Sequence, residues 1–343
     1  MDKKIGFLNF GHWQPVHGSQ VRTGADALLQ TVELAEAAEE LGVDGAYVRV
    51  HHFARQLSSP FPLLAAIGAR TRRIEIGTGV IDMRYENPLY MAEEAAAADL
   101  ISAGRLQLGV SRGSPETALR GSEAFGYVPG EGSDDAELAR AKTGLFLSAI
   151  SGTALVDADP RMHRGGTRLA VQPQSPGLRE RIWWGSGTRS TAVWTAQQGM
   201  NLMSSTLLSE DTGVPFDELQ AEQIALFRAA WDEAGWAHQP RVSVSRSVMP
   251  ITTDEDRMYF DADRDSGDQV GLLGGVRSRF GKSYAGEPDE LAEQLSKDMA
   301  VREADTLLLT IPNMLGVEYN ARLLETITKY VAPAIGWVHP DQR

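Results

Sequence analysis

Short apolar runs alternate along this chain with longer stretches whose apolar residues recur every three or four positions. The first run, 5–10, ends at Gly11. In the stretch 25–41 that follows, Thr31, Leu34, Ala35, Ala38 and Leu41 share one helical face, and Gly42 is placed to stop the helix. The same step then repeats. Runs at 44–50, 73–80, 105–110, 181–184, 201–204, 242–250 and 306–311 predict strands. Helical spacing at 60–69, 88–103, 134–150, 190–199, 216–234, 288–301 and 317–331 predicts the helices between and after them. Segments 154–156 and 169–171 can pair as a small hairpin around the polar turn 157–168.

Strands alternating with helices imply a parallel sheet, and eight such steps imply closure into a barrel. The expected fold is therefore α/β, a single (β/α)8 barrel over residues 1–343. A doubly wound open sheet is the competing architecture. It wants a glycine-rich turn after the first strand, and Gly11-His12-Trp13-Gln14-Pro15 lacks that fingerprint. A barrel needs about 250 residues, so 343 leaves about 90 for insertions. Two segments take that role. Residues 113–133 follow strand four. Residues 252–286 follow strand seven and carry seven acidic residues from Asp254 to Asp268, then a glycine-rich part with Gly271, Gly274 and Gly275. Long loops of this kind serve as lids or as plain solvated cover.

Composition narrows the chemistry. A formal net charge of −13 repels phosphate backbones and anionic lipid, so nucleic-acid and membrane partners are not expected. The absence of cysteine removes disulfides, thiolate catalysis and Cys-ligated metals, and fits a cytoplasmic protein. The apolar run after the two N-terminal lysines is interrupted by Asn9 and His12, so it reads as a strand and not as a signal peptide.

A barrel carries its active site at the C-terminal ends of its strands. The fifth such end, Gly185-Ser186-Gly187-Thr188-Arg189-Ser190-Thr191, is the clearest anion site. Its glycines let the backbone approach a ligand, its hydroxyls donate, and a helix N-terminus follows. Arg189 adds a charge there, and Arg112-Gly113 at the end of strand four brings a guanidinium to the same place. The same residues also satisfy an ordinary Ser/Thr helix cap. The second signal is His51-His52 at the end of strand two. Adjacent residues there point to opposite sides, so one histidine faces the mouth, where it can act as acid or base near neutral pH. A structural, hydrogen-bonded pair is the plainer alternative. The remaining histidines, His12, His17, His163, His238 and His339, show no ligand spacing, so no metal site is expected. Phe10, Phe53, Trp184 and Met203 are candidate apolar walls, though such residues serve equally as core.

Taken in order, several motifs resemble the bacterial luciferase-like flavin-dependent oxidoreductases. They are the helix end Ala35-Glu36 to Gly45, Val50-His51-His52-Phe53, Ile76-Gly77-Thr78-Gly79-Val80, Asn87-Pro88, Gly104-Arg105 through Gly109-Val110-Ser111-Arg112-Gly113, Ile182-Trp183-Trp184-Gly185-Ser186-Gly187, and Gly286-Glu287-Pro288 to Leu291. Each is short; their order and spacing carry the resemblance over nearly the whole chain.

The resemblance implies a TIM-type barrel that binds reduced FMN, forms a homodimer, and oxidises a small organic substrate with O2. It implies a phosphate held by Arg112 and Thr188–Thr191 and a catalytic His51. A non-prolyl cis bond is implied near Gly79, with Ser111 and Gly113 beside the flavin. NAD(P)H would supply electrons directly or through a separate flavin reductase. Ser111 stands where luciferase has a reactive cysteine, so light emission is not implied. Some relatives use a deazaflavin for hydride transfer, and a non-catalytic flavin-binding protein is a further alternative. An unrelated phosphate-handling lyase or isomerase would want a lysine or glutamate at a strand end, and none is convincingly placed.

Overall fold

Eight parallel strands close on themselves in the computed structural model, which describes residues 2–113, 118–273 and 275–343. They are β1 (Lys4–Asn9), β2 (Gly45–Val48), β3 (Glu75–Asp82), β4 (Leu106–Ser111), β5 (Ile182–Ser186), β6 (Asn201–Ser204), β7 (Val242–Pro250) and β8 (Thr306–Thr310). Each neighbour pair in chain order is hydrogen-bonded, and β1 pairs with β8 from Lys4↔Thr306 to Leu8↔Thr310. The pairing of β6 with β7, Val242↔Leu202 to Val244↔Ser204, completes the ring. The strands read as near-continuous apolar runs because both of their faces are covered, one by helices and one by the barrel interior.

The outer layer is α1 (Gly24–Glu40), α2 (Pro60–Arg70), α3 (Pro88–Ile101), α4 (Asp135–Ile150), α5 (Arg189–Gln197), α6 (Phe216–Ala234), α7 (Pro288–Lys297) and α8 (Gly316–Thr326). Local chemistry sets their starts. Thr23 and Asp134 cap α1 and α4 in reciprocal boxes with Asp26 and Glu137, and Asn87 caps α3 ahead of Pro88. At the N-terminal end of the barrel the interior holds polar side chains that satisfy one another. Arg241 grips Glu75 through two bonds of 3.0 Å, Lys4 also reaches Glu75, and Trp183 Nε1 donates to Gln107 Oε1 at 2.9 Å. That end is plugged, so a ligand can enter only from the other.

Three elements depart from the sequence pattern. Strand β3 runs on to Asp82, with a register irregularity against β4 between Thr78 and Ile81. Gly79-Val80, expected at the strand's end, therefore lies inside it, and Asp82 becomes the terminal residue. The helix expected over 288–301 is two, α7 and Met299–Glu303. Asp298 breaks it because its extended backbone frees the carboxylate to cap Val301 and to bind Arg246. The insertion 252–286 is structured. It holds a helix, Asp254–Phe260, an antiparallel hairpin, Gln269–Leu273 with Val276–Phe280, and a strand, Ser283–Gly286. The last pairs in parallel with the upper half of β7, on the side where β6 has already ended. The expected hairpin after α4 forms as Val156–Asp157 with Arg168–Leu169. Of the first insertion, residues 114–117 lie outside the described residues, as does Gly274 of the second; Gly121–Ala124 is a single helical turn.

Candidate active site

A cavity of about 420 Å³ opens at the C-terminal ends of the strands, and every barrel strand or the segment after it contributes to its wall. Its chemistry divides by position around the ring.

One side is cationic and rich in hydroxyls. Arg112 follows β4, and Thr188, Ser190 and Thr191 follow β5; all line the cavity. Thr188 caps α5, accepting from the Thr191 amide at 3.2 Å, and its hydroxyl donates to Thr191 Oγ1 at 2.8 Å. Ser186 Oγ ties the turn by donating to the Thr188 carbonyl at 3.1 Å. Cap and candidate anion site thus coincide. A cation that the sequence reading missed also faces this side. Arg140, one turn into the cavity-facing part of α4 from Ala136, lines the cavity with its guanidinium over the Trp194 ring at 4.9 Å. Among the described residues neither Arg112 nor Arg140 has an ion-pair partner, so an anion here meets two guanidinium groups that no described carboxylate offsets.

Arg189 is placed elsewhere, and its expected charge is not part of this wall. Its guanidinium pairs with Glu210 at 3.3 Å and with Glu222, and its amide donates to Glu210 Oε1 at 3.1 Å. The first residue of a helix points its side chain back and outward, and two carboxylates hold it there.

Ser111, Gly113 and Asp82 form the next part of the wall. Ser111 Oγ accepts from the Gly113 amide at 2.9 Å. Asp82 is gripped by Arg84 through Nε at 3.0 Å and Nη2 at 2.6 Å, and Arg84 reaches on to Asp135 at 3.1 Å. Gly113 has φ +82°, and a Cβ there would stand 2.0 Å from Asp82 Oδ2. Only glycine permits both the turn and that approach. The adjacent floor contains Gly79, Val80, Gly185 and Met203, with a cis peptide bond between Gly79 and Val80. Gly187 also lines the cavity, held by its carbonyl accepting from the Ser209 amide at 2.9 Å.

The far side carries His51. His51 lines the cavity, while His52 stacks on Tyr85 at 4.2 Å and meets the edge of Phe125 at 5.1 Å. The pair is therefore split, with His51 on the cavity and His52 among aromatic rings, although β2 ends at Val48, two residues short of the expected strand end. Arg49 Nε donates to His51 Nε2 at 2.8 Å, and the Arg49 guanidinium lies over the Phe10 ring at 4.8 Å. His12 stacks on Phe10 in turn; burial first, then its neighbours His51 and the Arg49 guanidinium, hold it below the usual histidine range. Phe10, Trp184 and Met203 line the cavity as expected, but Phe53 does not. Its backbone turns through φ +55° and leaves the ring 61% exposed against Phe125.

The loop after β6 supplies Ser205 and, beyond the strand end, Thr206, Leu207 and Ser209, which no local pattern marks. The second insertion positions it: Leu207 and Leu208 pair with Phe280 and Arg279, and Arg279 and Arg277 bind Asp211.

Among the described residues no cluster of three metal-ligating side chains exists, and no helix is long and apolar enough to cross a membrane.

A family model of luciferase-like monooxygenases matches residues 7–259. The 4-hydroxyprotoasukamycin monooxygenase of Streptomyces nodosus subsp. asukaensis is 39% identical over 110 residues, which are 31% of this chain and 29% of that one. The chain spans about half the length, or less, of the curated relatives it matches. Among solved structures, the FMN-bound oxygenating constituent of the 3,6-diketocamphane monooxygenase of Pseudomonas putida superposes with a TM-score of 0.67 at 16% identity, over 99% of this chain and 100% of that one. An F420-dependent secondary alcohol dehydrogenase in complex with an F420–acetone adduct superposes with a TM-score of 0.63 at 14% identity, over 98% and 99%. Identities this low speak for the shared barrel alone; the family model, which spans most of the chain, speaks for descent. This chain belongs to the luciferase-like monooxygenase family.

Proposed function

We propose that this protein is an FMN-dependent monooxygenase that uses reduced flavin and O2 to oxidise a small organic substrate. The observation that carries the reading is the division of one cavity. Two guanidinium groups with no ion-pair partner among the described residues and three hydroxyls stand at the β4–β5 side, while Leu8, Phe10, Val80, Trp184, Met203 and Leu207 give the remaining wall, which His51, Arg49, Asp82 and several hydroxyls share, an apolar part.

The residues fit a flavin mononucleotide. Arg112, Arg140, Thr188, Ser190 and Thr191 match a phosphate dianion in charge and donor type. The floor suits a flat ring because Gly79 and Gly185 leave it low. A Cβ at Gly79 would stand 3.1 Å from Leu8, and one at Gly185 would stand 3.2 Å from Ser111. Leu8, Phe10, Val80, Trp184, Met203 and Leu207 keep water from the reacting centre. His51 holds or moves a proton there. When bound, reduced flavin supplies the electrons with which O2 is activated, chemistry that belongs to the cofactor and not to any side chain present.

In this reading the reduced flavin comes from a separate reductase fed by NAD(P)H, or from NAD(P)H directly, and the protein works as a cytoplasmic homodimer. The description of the Pseudomonas putida protein as an oxygenating constituent supports the two-component arrangement. A second reading is hydride transfer with a deazaflavin, favoured by the likeness to the F420-dependent dehydrogenase. Anaerobic titration with reduced FMN and with reduced F420, followed by admission of O2, separates them. The oxygenase reading expects tight binding of FMN and oxygen consumption. Exclusive binding of F420 with no oxygen consumption would favour hydride transfer.

A further inference from the structure

The bond between Arg49 and His51 says more than that the two residues touch. Arg49 Nε donates to His51 Nε2 at 2.8 Å. A guanidinium is always charged and offers donors only. The nitrogen that faces it has to be the one without a proton. A neutral imidazole then carries its single proton on the other nitrogen. We propose that Arg49 is a positioning residue that fixes His51 as the Nδ1–H tautomer, so that His51 serves the site as a hydrogen-bond donor through Nδ1 and not as a base at Nε2.

The bond is built into the fold. Arg49 and His51 lie two residues apart just past the end of β2, and both line the cavity, with Val50 buried between them. Both backbones are pinned: the Arg49 amide donates to the Asn9 carbonyl at 2.9 Å and the His51 amide to the Leu57 carbonyl at 2.8 Å. The guanidinium plane rests on Phe10, and Phe10 stacks on His12 at 5.8 Å with 8° between the rings. His12 is in turn clamped by the Asn313 side chain, which accepts from its amide at 3.2 Å and donates to its carbonyl at 2.8 Å. The orientation of Arg49 is thus set from the loop after β8, and Arg49 passes it to His51.

The tautomer is a property of the ligand-free protein; only its catalytic consequence rests on the oxygenase reading. The test is ¹⁵N NMR of the full chain labelled at histidine, without flavin, at about pH 8, above the ordinary histidine range. The His51 resonances are assigned by their loss in His51→Gln. The expected wild-type spectrum has Nε2 at the unprotonated position and Nδ1 at the protonated one. In Arg49→Met the proton moves to Nε2, the form that a free imidazole side chain favours, and Arg49→Lys, which keeps a donor, holds part of the Nδ1–H form. A wild-type spectrum with a protonated Nε2, or an Arg49→Met spectrum unchanged from wild type, overturns the proposal. The wild-type measurement decides even if a variant fails to fold. Either failure would leave flavin binding and oxygen consumption untouched, and so the monooxygenase reading intact. In turnover, Arg49→Met should lose about tenfold or more in kcat with flavin affinity within about twofold, a split that removal of general acid–base help produces. An unchanged kcat would remove Arg49 from the mechanism.

Discussion

The Arg140 guanidinium lies 4.9 Å from the centre of the Trp194 ring, which ties α4 to α5 across the mouth of the barrel. The stack holds a charge on the cavity that Thr188, Ser190 and Thr191 also line, and among the described residues no carboxylate pairs with it. Arg189, in the turn that carries those hydroxyls, has its charge cancelled by Glu210 and Glu222. The two arginines should therefore respond differently to removal. Charge-assisted bonds are worth about 1.5–3 kcal/mol, so Arg140→Ala should weaken FMN about tenfold to a hundredfold. Arg189→Ala should change it by less than about threefold, within the range of exposed ion pairs. Isothermal titration of both variants checks this, and equal losses would remove Arg140 from the anion site.

Among the described residues His51 is the one histidine on the cavity wall. His51→Ala should retain flavin and lose about a hundredfold in turnover, the usual scale of a positioned proton donor or acceptor. Steady-state oxygen uptake with saturating reduced flavin reads the effect. A variant with wild-type turnover would leave the residue as a packing element.

Behind β7, Arg246 and Asp298 form an ion pair of 2.7 Å with both side chains buried, and the Tyr284 hydroxyl donates to the same carboxylate at 2.6 Å. Breaking one partner of such a pair costs about 3–5 kcal/mol, so Asp298→Asn should lower urea-unfolding stability by about that much. Burial alone would push the Asp298 carboxyl up. The Arg246 guanidinium and the Tyr284 hydroxyl outweigh it and hold the group below the usual carboxylate range. A depressed carboxyl stabilises fully above its unfolded value and loses that contribution as pH falls through the folded one. The gap between wild type and variant should close below about pH 4.

Glu86 behaves in the opposite sense. Burial first, then Glu94, push its carboxyl up to about 7, against the pull of Lys142, whose ammonium burial brings down to about 8. A carboxyl raised on folding favours the protonated fold, so stability declines as pH rises from about 4.5 towards 7. Glu86→Gln should stabilise the protein by about 1–3 kcal/mol at pH 8 and leave it nearly unchanged at pH 4. Thermal melts across that interval give the answer, and an equal shift at both pH values would contradict it.

The barrel was legible because each strand and helix carries its own period and its own stop, from Gly42 after α1 to Asn87-Pro88 before α3. The strand ends then pointed to His51, Arg112 and the Gly185–Thr191 turn, which the fold brings to one cavity with the exception of Arg189. Residues fixed by tertiary contact were not legible. Arg140 sits in a helix whose pattern marks only its buried face, and nothing local distinguishes it from a solvated arginine. The loop with Leu207 and Ser209 owes its place to pairing with residues some seventy positions later. Arg189 and Phe53 misled for the same reason. A side chain beside a site in sequence is aimed by its partners or by its backbone, here Glu210 and Glu222 for one and a positive φ for the other.

The most direct test is equilibrium binding of reduced FMN against reduced riboflavin, to wild type and to Arg112→Ala. If a phosphorylated flavin is anchored between β4 and β5, wild type binds FMN at least about a hundredfold more tightly than riboflavin, and Arg112→Ala loses most of that margin with riboflavin binding unchanged. Equal affinity of the wild type for the two flavins, or equal losses for both in the variant, would contradict the account.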